Sequence, residues 1–288
     1  MTQRKKDPSR PGRDLLCLNL SRDLALSKVE QIRLFRDAGF DGFFAGWDDD
    51  LIALREAAEK YSMLFQSVHA PFVGLDAIWR GDGAEEMTRS ILDCVDGTAD
   101  VGVDLMVCHA YIGFEIRYPI TERAIDCFRR IVDRAGERGV RVAFENTEGE
   151  EYLAALMGEF SQTDHVGFCF DSGHAMCYNS GTDMLTLYGD RLIATHLNDN
   201  LGVSSPDGVI TWRDDLHLLP FDGIADWETI ARSIVKCGFG GPLTFELKKS
   251  AARGKNGDLP YSSVSDGEYV AEAYSRAEAF KKVIGFVD

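Results

Sequence analysis

The sequence predicts an α/β chain folded as one closed barrel of eight strand–helix units, a single (β/α)8 or TIM barrel. Three observations carry that expectation. Eight short apolar runs, each bounded by polar residues, are separated by longer stretches with helical periodicity. The length of 288 residues suits an architecture for which ~250 is typical. The first apolar run passes into Asn19-Leu20-Ser21-Arg22 without a glycine, whereas a doubly wound open sheet usually turns there on a glycine-rich phosphate loop.

The strands are expected at Leu15 to Leu20, Gly42 to Gly46, Leu64 to Val68, Leu105 to Cys108, Val142 to Phe144, Val166 to Phe170, Leu192 to Thr195 and Leu243 to Phe245. Each is too short and too apolar for a surface helix and fits a strand buried on both faces. Between them, Ser27 to Ala38 places Val29, Ile32, Leu34 and Phe35 along one helical side. Glu122 to Arg138 does the same with Ala124, Ile125, Phe128, Ile131, Val132 and Ala135. Asp226 to Lys236 repeats the pattern with Trp227, Ile230, Ile234 and Val235. Gly39-Phe40-Asp41-Gly42 and Gly238-Phe239-Gly240-Gly241 punctuate helix-to-strand turns. No Pro/Gly/Ser-rich linker divides the chain, so residues 14–288 are expected to form one domain behind a disordered basic tail at 1–13. The longest irregular stretches, Leu201 to Ala225 and Ala251 to Asp266, follow the seventh and eighth strands. They would fall on the C-terminal face of a barrel, where active sites are built.

Composition narrows the function. Hydrophobic residues make up 45% of the chain, enough for a large core. The whole chain carries −16 and its first thirteen residues +4, so the remainder carries −20. Such a body repels phosphate backbones and argues against a nucleic-acid partner. The seven cysteines include no C-x-x-C pair and several lie in apolar runs, as expected for reduced core residues of a cytoplasmic protein. No apolar run reaches the roughly 18 residues of a membrane helix, so no membrane partner is expected.

The chemistry is written at the strand ends. The third strand leads to His69, the fourth to His109, the fifth to Glu145, the sixth to Asp171 and His174, the seventh to His196 and the eighth to Glu246. The loop after the seventh adds Asp215 and His217. Strand ends of a parallel barrel converge on its axis, so residues far apart in sequence meet in one pocket. The chain has six histidines, and all but His165 belong to this set. Carboxylates and imidazoles together are the usual ligands of a divalent ion, and burying so many ionisable groups without one would cost several kcal/mol per charge.

Phe-Glu-Asn at 144–146, Phe-Asp-Ser-Gly-His at 170–174 and Phe-Glu-Leu at 245–247 give the stretch from Leu15 to Phe286 a resemblance to the xylose-isomerase-like barrels. That family includes sugar isomerases, ketose 3-epimerases and endonuclease IV. The resemblance implies one divalent ion, Mn²⁺, Mg²⁺ or Co²⁺ in preference to Zn²⁺, held by Glu145, Asp171, His196 and Glu246. It further implies that Glu145 and Glu246 exchange protons with a substrate carbon on opposite faces through an enediolate. His174 and Glu151 would hydrogen-bond substrate hydroxyls. The expected activity is thus isomerisation or epimerisation of a small sugar, polyol or keto-sugar, free or phosphorylated. A small carbohydrate is the expected partner, and a homo-oligomer is compatible with this class of barrel.

Endonuclease IV, the hydrolytic relative, holds three zinc ions with five His and four carboxylates. This chain offers candidates for all nine, His69, His109, His174, Asp215 and His217 being the additional ones. Glu145-Asn146-Thr147 and His196-Leu197-Asn198-Asp199 echo that enzyme, so an abasic-site phosphodiesterase with up to three ions is the alternative. Against it stand the acidic body, Phe72 in place of a Tyr that reaches into DNA, and Glu148 and Glu150 after Glu-Asn-Thr. Pro220-Phe221-Asp222-Gly223 also departs from the Pro-Gly-x-Gly of both groups. Trp47, Phe72 and Tyr111 follow strands two to four and are candidates to stack on a sugar face, with plain packing the alternative. Arg213, Lys248 and Lys249 are candidates for a substrate phosphate.

Overall fold

The computed structural model describes residues 12–179, 181–254, 257–258 and 260–287. Eight parallel strands run in the order expected of a barrel: β1 (Leu16–Asn19), β2 (Gly42–Gly46), β3 (Leu64–His69), β4 (Leu105–His109), β5 (Arg141–Glu145), β6 (Val166–Asp171), β7 (Leu192–His196) and β8 (Leu243–Phe245). Successive strands pair from β1 through β7, and β8 pairs with β1. The last seam, between β7 and β8, is thin. It is closed by a Leu197–Phe245 bridge, by Leu197 N–H donating to the Thr244 carbonyl at 2.8 Å, and by the Thr195 hydroxyl accepting from Thr244 N at 3.1 Å.

Five strands end one residue later than their apolar runs, at His69, His109, Glu145, Asp171 and His196. The ladder is made by backbone groups, which pair whatever the polarity of the side chain. β1 is shorter than expected at both ends. The anticipated tail lies outside the described residues except for Gly12 and Arg13. These open a short 3-10 turn, Gly12–Asp14, with Gly12 packed against the Gly240 carbonyl.

Helices cover the outer face as their periodicity predicts. Lys28–Ala38 begins on a Ser27–Glu30 capping box and stops at Gly39, φ 121°, where a Cβ would be strained. Glu122–Arg138 is capped by Thr121, and Trp227–Lys236 by Asp226. The main core lies between this layer and the outward strand faces, built on large buried side chains such as Phe35, Trp79, Phe128, Phe144 and Phe280. A separate small cluster, Leu105, Val107, Ala143, Cys169 and Ala194, fills the barrel interior. Successive strand residues alternate faces, so His109, Glu145, Asp171 and His196, each two residues beyond a member of this cluster, point inward. All seven cysteines are unpaired and six are buried. Among the described residues no helix is long and apolar enough to cross a membrane.

Candidate active site

Register brings the strand ends together. His109 pairs with Glu145 across β4 and β5, Asp171 with His196 across β6 and β7, and Gly46 with His69 across β2 and β3. Glu145, fully buried, stands at the centre. Its Oε2 lies 3.3 Å from His69 Nε2 and 3.4 Å from His109 Nε2, while its Oε1 lies 3.1 Å from His196 Nδ1. His196 Nδ1 is also 3.1 Å from Glu246 Oε2. Three groups have ligand atoms within 4.8 Å of one another: Glu145–Asp171–His196–Glu246, His69–Glu145–His196 and His174–Asp215–His217.

Three imidazoles are oriented as candidate metal ligands. Nδ1 of His69, His174 and His217 faces the backbone carbonyls of Ala70, Asn146 and Glu246 at 2.8, 2.9 and 3.0 Å. A carbonyl only accepts, so each Nδ1 carries the proton. The bare Nε2 then faces a carboxylate: Glu145 for His69, and Asp215 for His174 at 3.7 Å and His217 at 2.5 Å. Lone pair against carboxylate is repulsive unless a proton or a cation joins them, and orienting one ring nitrogen by a carbonyl is how metal-binding histidines are held. His196 Nε2, His109 Nδ1 and Asp215 Oδ1 are buried without a hydrogen-bond partner among the described residues.

The electrostatics make the same demand for positive charge. Burial opposes charging His196 and His174, yet the surrounding carboxylates raise both well above the usual imidazole range. His217 rises against burial through Asp215. Burial would lift Glu145 and Glu246, but the imidazoles hold both below the usual carboxylate range. Burial dominates at Asp171, which is pushed up to about 6, and at His109, which is lowered. The donor set and its field therefore fit divalent cations.

Neighbouring residues hold the candidate ligands in place. Asn198 Nδ2 donates to both oxygens of Asp171, at 3.2 and 3.0 Å, and its backbone is tied to the Ser172 hydroxyl. Asn146 Oδ1 accepts from Asp171 N at 2.8 Å, and its Nδ2 donates to Asn179 at 3.0 Å. The Phe44 ring stacks on His196 and the Tyr178 ring on His174.

The family model described as "Xylose isomerase-like TIM barrel" matches residues 32–265. The chain belongs to this family. Its curated relatives include the uncharacterized protein y4fM of Sinorhizobium fredii (strain NBRC 101917 / NGR234), 41% identical over 180 residues. That match covers 58% of this chain and 54% of the relative, so the chain spans about half of the relative's length. Among solved structures, a D-tagatose 3-epimerase-like protein superposes with a TM-score of 0.69 at 18% identity, covering 95% of this chain and 98% of its own. The IOLI protein, solved with a bound zinc atom, gives 0.69 at 18%, covering 95% and 99%. At such identities the likeness is one of fold.

Within this family barrel, all nine acid and imidazole candidates gather at one mouth. The substrate-contact candidates divide. Phe72 joins the site, its ring stacked on His109 at 5.0 Å. Trp47 lies half-exposed at the end of β2, its N–H on the His69 carbonyl. Glu151 is turned outward and pairs with Arg117 at 3.3 Å. The carboxylate of that stretch that is buried is Glu148, which accepts from Gly113 N at 2.6 Å. Arg213 lies over Trp212, and Lys249 pairs with Asp266, whereas Lys248 reaches Asp215 at 3.3 Å. Phe221 occupies its loop at φ 75°, in the left-handed region that suits glycine. The loop keeps its shape because fully buried Asp199 accepts from Asn200 N, Phe221 N, Ala225 N and Trp227 Nε1. The roles of Asn198, Asn146, Phe44, Tyr178 and Glu148 were not read from the sequence, although Asn146 stands inside a motif that carried the resemblance and Asn198 inside the stretch that echoes endonuclease IV.

Proposed function

We propose that the chain is a divalent-metal-dependent isomerase or epimerase of a small sugar, polyol or keto-sugar, free or phosphorylated. One observation carries the reading: Glu145 and Glu246 flank His196 Nδ1 at 3.1 Å each, in a group with Asp171 at the mouth of the barrel. Moving hydrogen between the faces of a carbon beside a carbonyl requires one carboxylate to take the proton and a second group to return one. Both glutamates are held ionised at neutral pH by the imidazoles, so either starts as the acceptor, and the other must take up a proton from solvent before returning it to the opposite face. Glu145, Asp171, His196 and Glu246 would hold the cation, three negative charges against two positive. When bound, it would polarise the substrate oxygen and stabilise the negative charge that develops there. Phe72 and Trp47 offer aromatic surface for the apolar side of a sugar ring. The epimerase-like and zinc-bound structural neighbours support the reading. Incubation of the Mn²⁺-loaded protein with a ketose panel in D2O should place deuterium on the carbon next to the carbonyl. No exchange across the panel would overturn the proposal.

A second reading, a multinuclear metallophosphodiesterase, is favoured by a specific observation. His69, His109 and His174 lie within 3.5 Å of the same Glu145, His174 groups in turn with Asp215 and His217, and three of these imidazoles are oriented as ligands. Zinc-dependent cleavage of an abasic-site duplex would support it. Failure to bind such DNA at low salt, where attraction is strongest, would remove it.

A further inference from the structure

We propose that Lys248 is the resident counter-cation of the His174–Asp215–His217 group and thereby limits how many divalent ions the barrel mouth holds. The inference rests on the metal-dependent reading above but not on its substrate. The central group and this outer group differ in charge. Glu145, Asp171 and Glu246 supply three carboxylates, and among the described residues none of them has a Lys or Arg ion pair. Asp215 is the single carboxylate of the outer group, and Lys248 Nζ lies 3.3 Å from its Oδ2, the same oxygen that faces His217 and His174. The ammonium is held there by its backbone. Lys248 N donates to the His217 carbonyl at 3.0 Å, and His217 Nδ1 donates to the Glu246 carbonyl at 3.0 Å, clamping residues 246–248 beside the histidine.

One ammonium already cancels the charge of the outer group. A divalent ion entering beside it meets a group of no net charge, whereas the same ion entering the central group meets three carboxylates with no Lys or Arg ion pair among the described residues. The lysine side chain is 44% exposed and able to move, so its effect falls on affinity rather than forming an absolute block.

The test counts metal on the full chain. Protein stripped with chelator is loaded with Zn²⁺, desalted and assayed for equivalents bound, and affinities are read by competition with a chromophoric chelator. Lys248→Met should bind one additional equivalent, or bind its weakest equivalent at least tenfold more tightly. Lys248→Arg should match the unmodified chain. Adding Asp215→Asn to Lys248→Met should abolish the gain, which locates it. Lys248→Gln provides a second neutral variant, with thermal midpoints checked for all. Unchanged number and affinity in both neutral variants, or a gain that survives Asp215→Asn, would overturn the inference. The zinc count does not depend on turnover. A failed ketose panel would therefore sink the substrate reading and leave this result standing, and an unchanged zinc count would do the reverse.

Discussion

Gly173→Ala offers a test of how the candidate metal ligands are held, because local and tertiary effects predict opposite signs. Gly173 lies inside the short helix Ser172–Cys177. By helix propensity alone, alanine there should stabilise by up to about 1 kcal/mol. A Cβ at this position, however, would overlap Asn198 Oδ1 and stand 2.8 Å from its Cγ. Asn198 is fully buried and has no free space into which to retreat. Its displacement breaks the two amide–carboxylate bonds to Asp171, each worth roughly 1.5–3 kcal/mol as hydrogen bonds to a charged group. Against a gain of about 1 kcal/mol, the net cost is roughly 2–5 kcal/mol, which lowers the thermal midpoint by about 3–8 °C. Asp171 then loses its orientation, and zinc affinity should fall about 10–100-fold, the usual consequence of removing a partner that positions a metal ligand. Thermal melts of stripped and zinc-loaded protein, with a chelator competition, measure both. An alanine variant as stable as the unmodified chain, with unchanged zinc affinity, would refute the role given to Asn198.

Glu246→Gln should reduce ketose exchange by about 10²–10⁴-fold, since it removes one of two proton-transfer groups and a candidate ligand; retained metal with unchanged turnover would sink the two-carboxylate mechanism. At Phe221, removing the ring loses its packing on Trp227, 5.5 Å away, but only glycine also relieves the left-handed backbone. Phe221→Gly should therefore be about 1 kcal/mol more stable than Phe221→Ala, against the usual order, as read by urea denaturation. Burial raises the Glu148 carboxyl above its ordinary 4.5, so the folded chain binds its proton more tightly than the unfolded one. That group's penalty is absent below about pH 4.5 and grows until pH passes the raised folded value. The midpoint advantage of Glu148→Gln should widen across that window and then level off; an advantage independent of pH would show that burial does not raise the Glu148 carboxyl.

Much of the architecture was legible locally. Short apolar runs, amphipathic intervals and glycine-marked turns are properties of a few adjacent residues, and a parallel barrel is assembled from just such units. The rule that strand ends meet at the mouth was enough to gather His69, His109, Glu145, Asp171, His174, His196, Asp215, His217 and Glu246 at one mouth from the sequence alone. Chain position alone did not separate Glu151 from Glu148: Glu151 lies in the first turn of the Glu150–Glu159 helix and turns outward to Arg117, whereas Glu148 precedes that helix, in the loop after β5, and reaches Gly113 N.

Other properties belong to register and side-chain orientation. Adjacent carboxylates and imidazoles can be named from the sequence. That Glu145 Oε1 faces His196 while its Oε2 faces His69 and His109 depends on the relative height of four strands, which no local pattern encodes. Which histidine nitrogen remains bare depends on carbonyls supplied by Ala70, Asn146 and Glu246. The Asn198 clamp on Asp171 and the Lys248 contact with Asp215 join residues 27 and 33 positions apart. Residue types and spacing thus determined the fold and the membership of the site. Distances, tautomers and charge pairing, on which the chemistry turns, were decided by packing, because they are set by contacts between segments that meet only when the barrel closes.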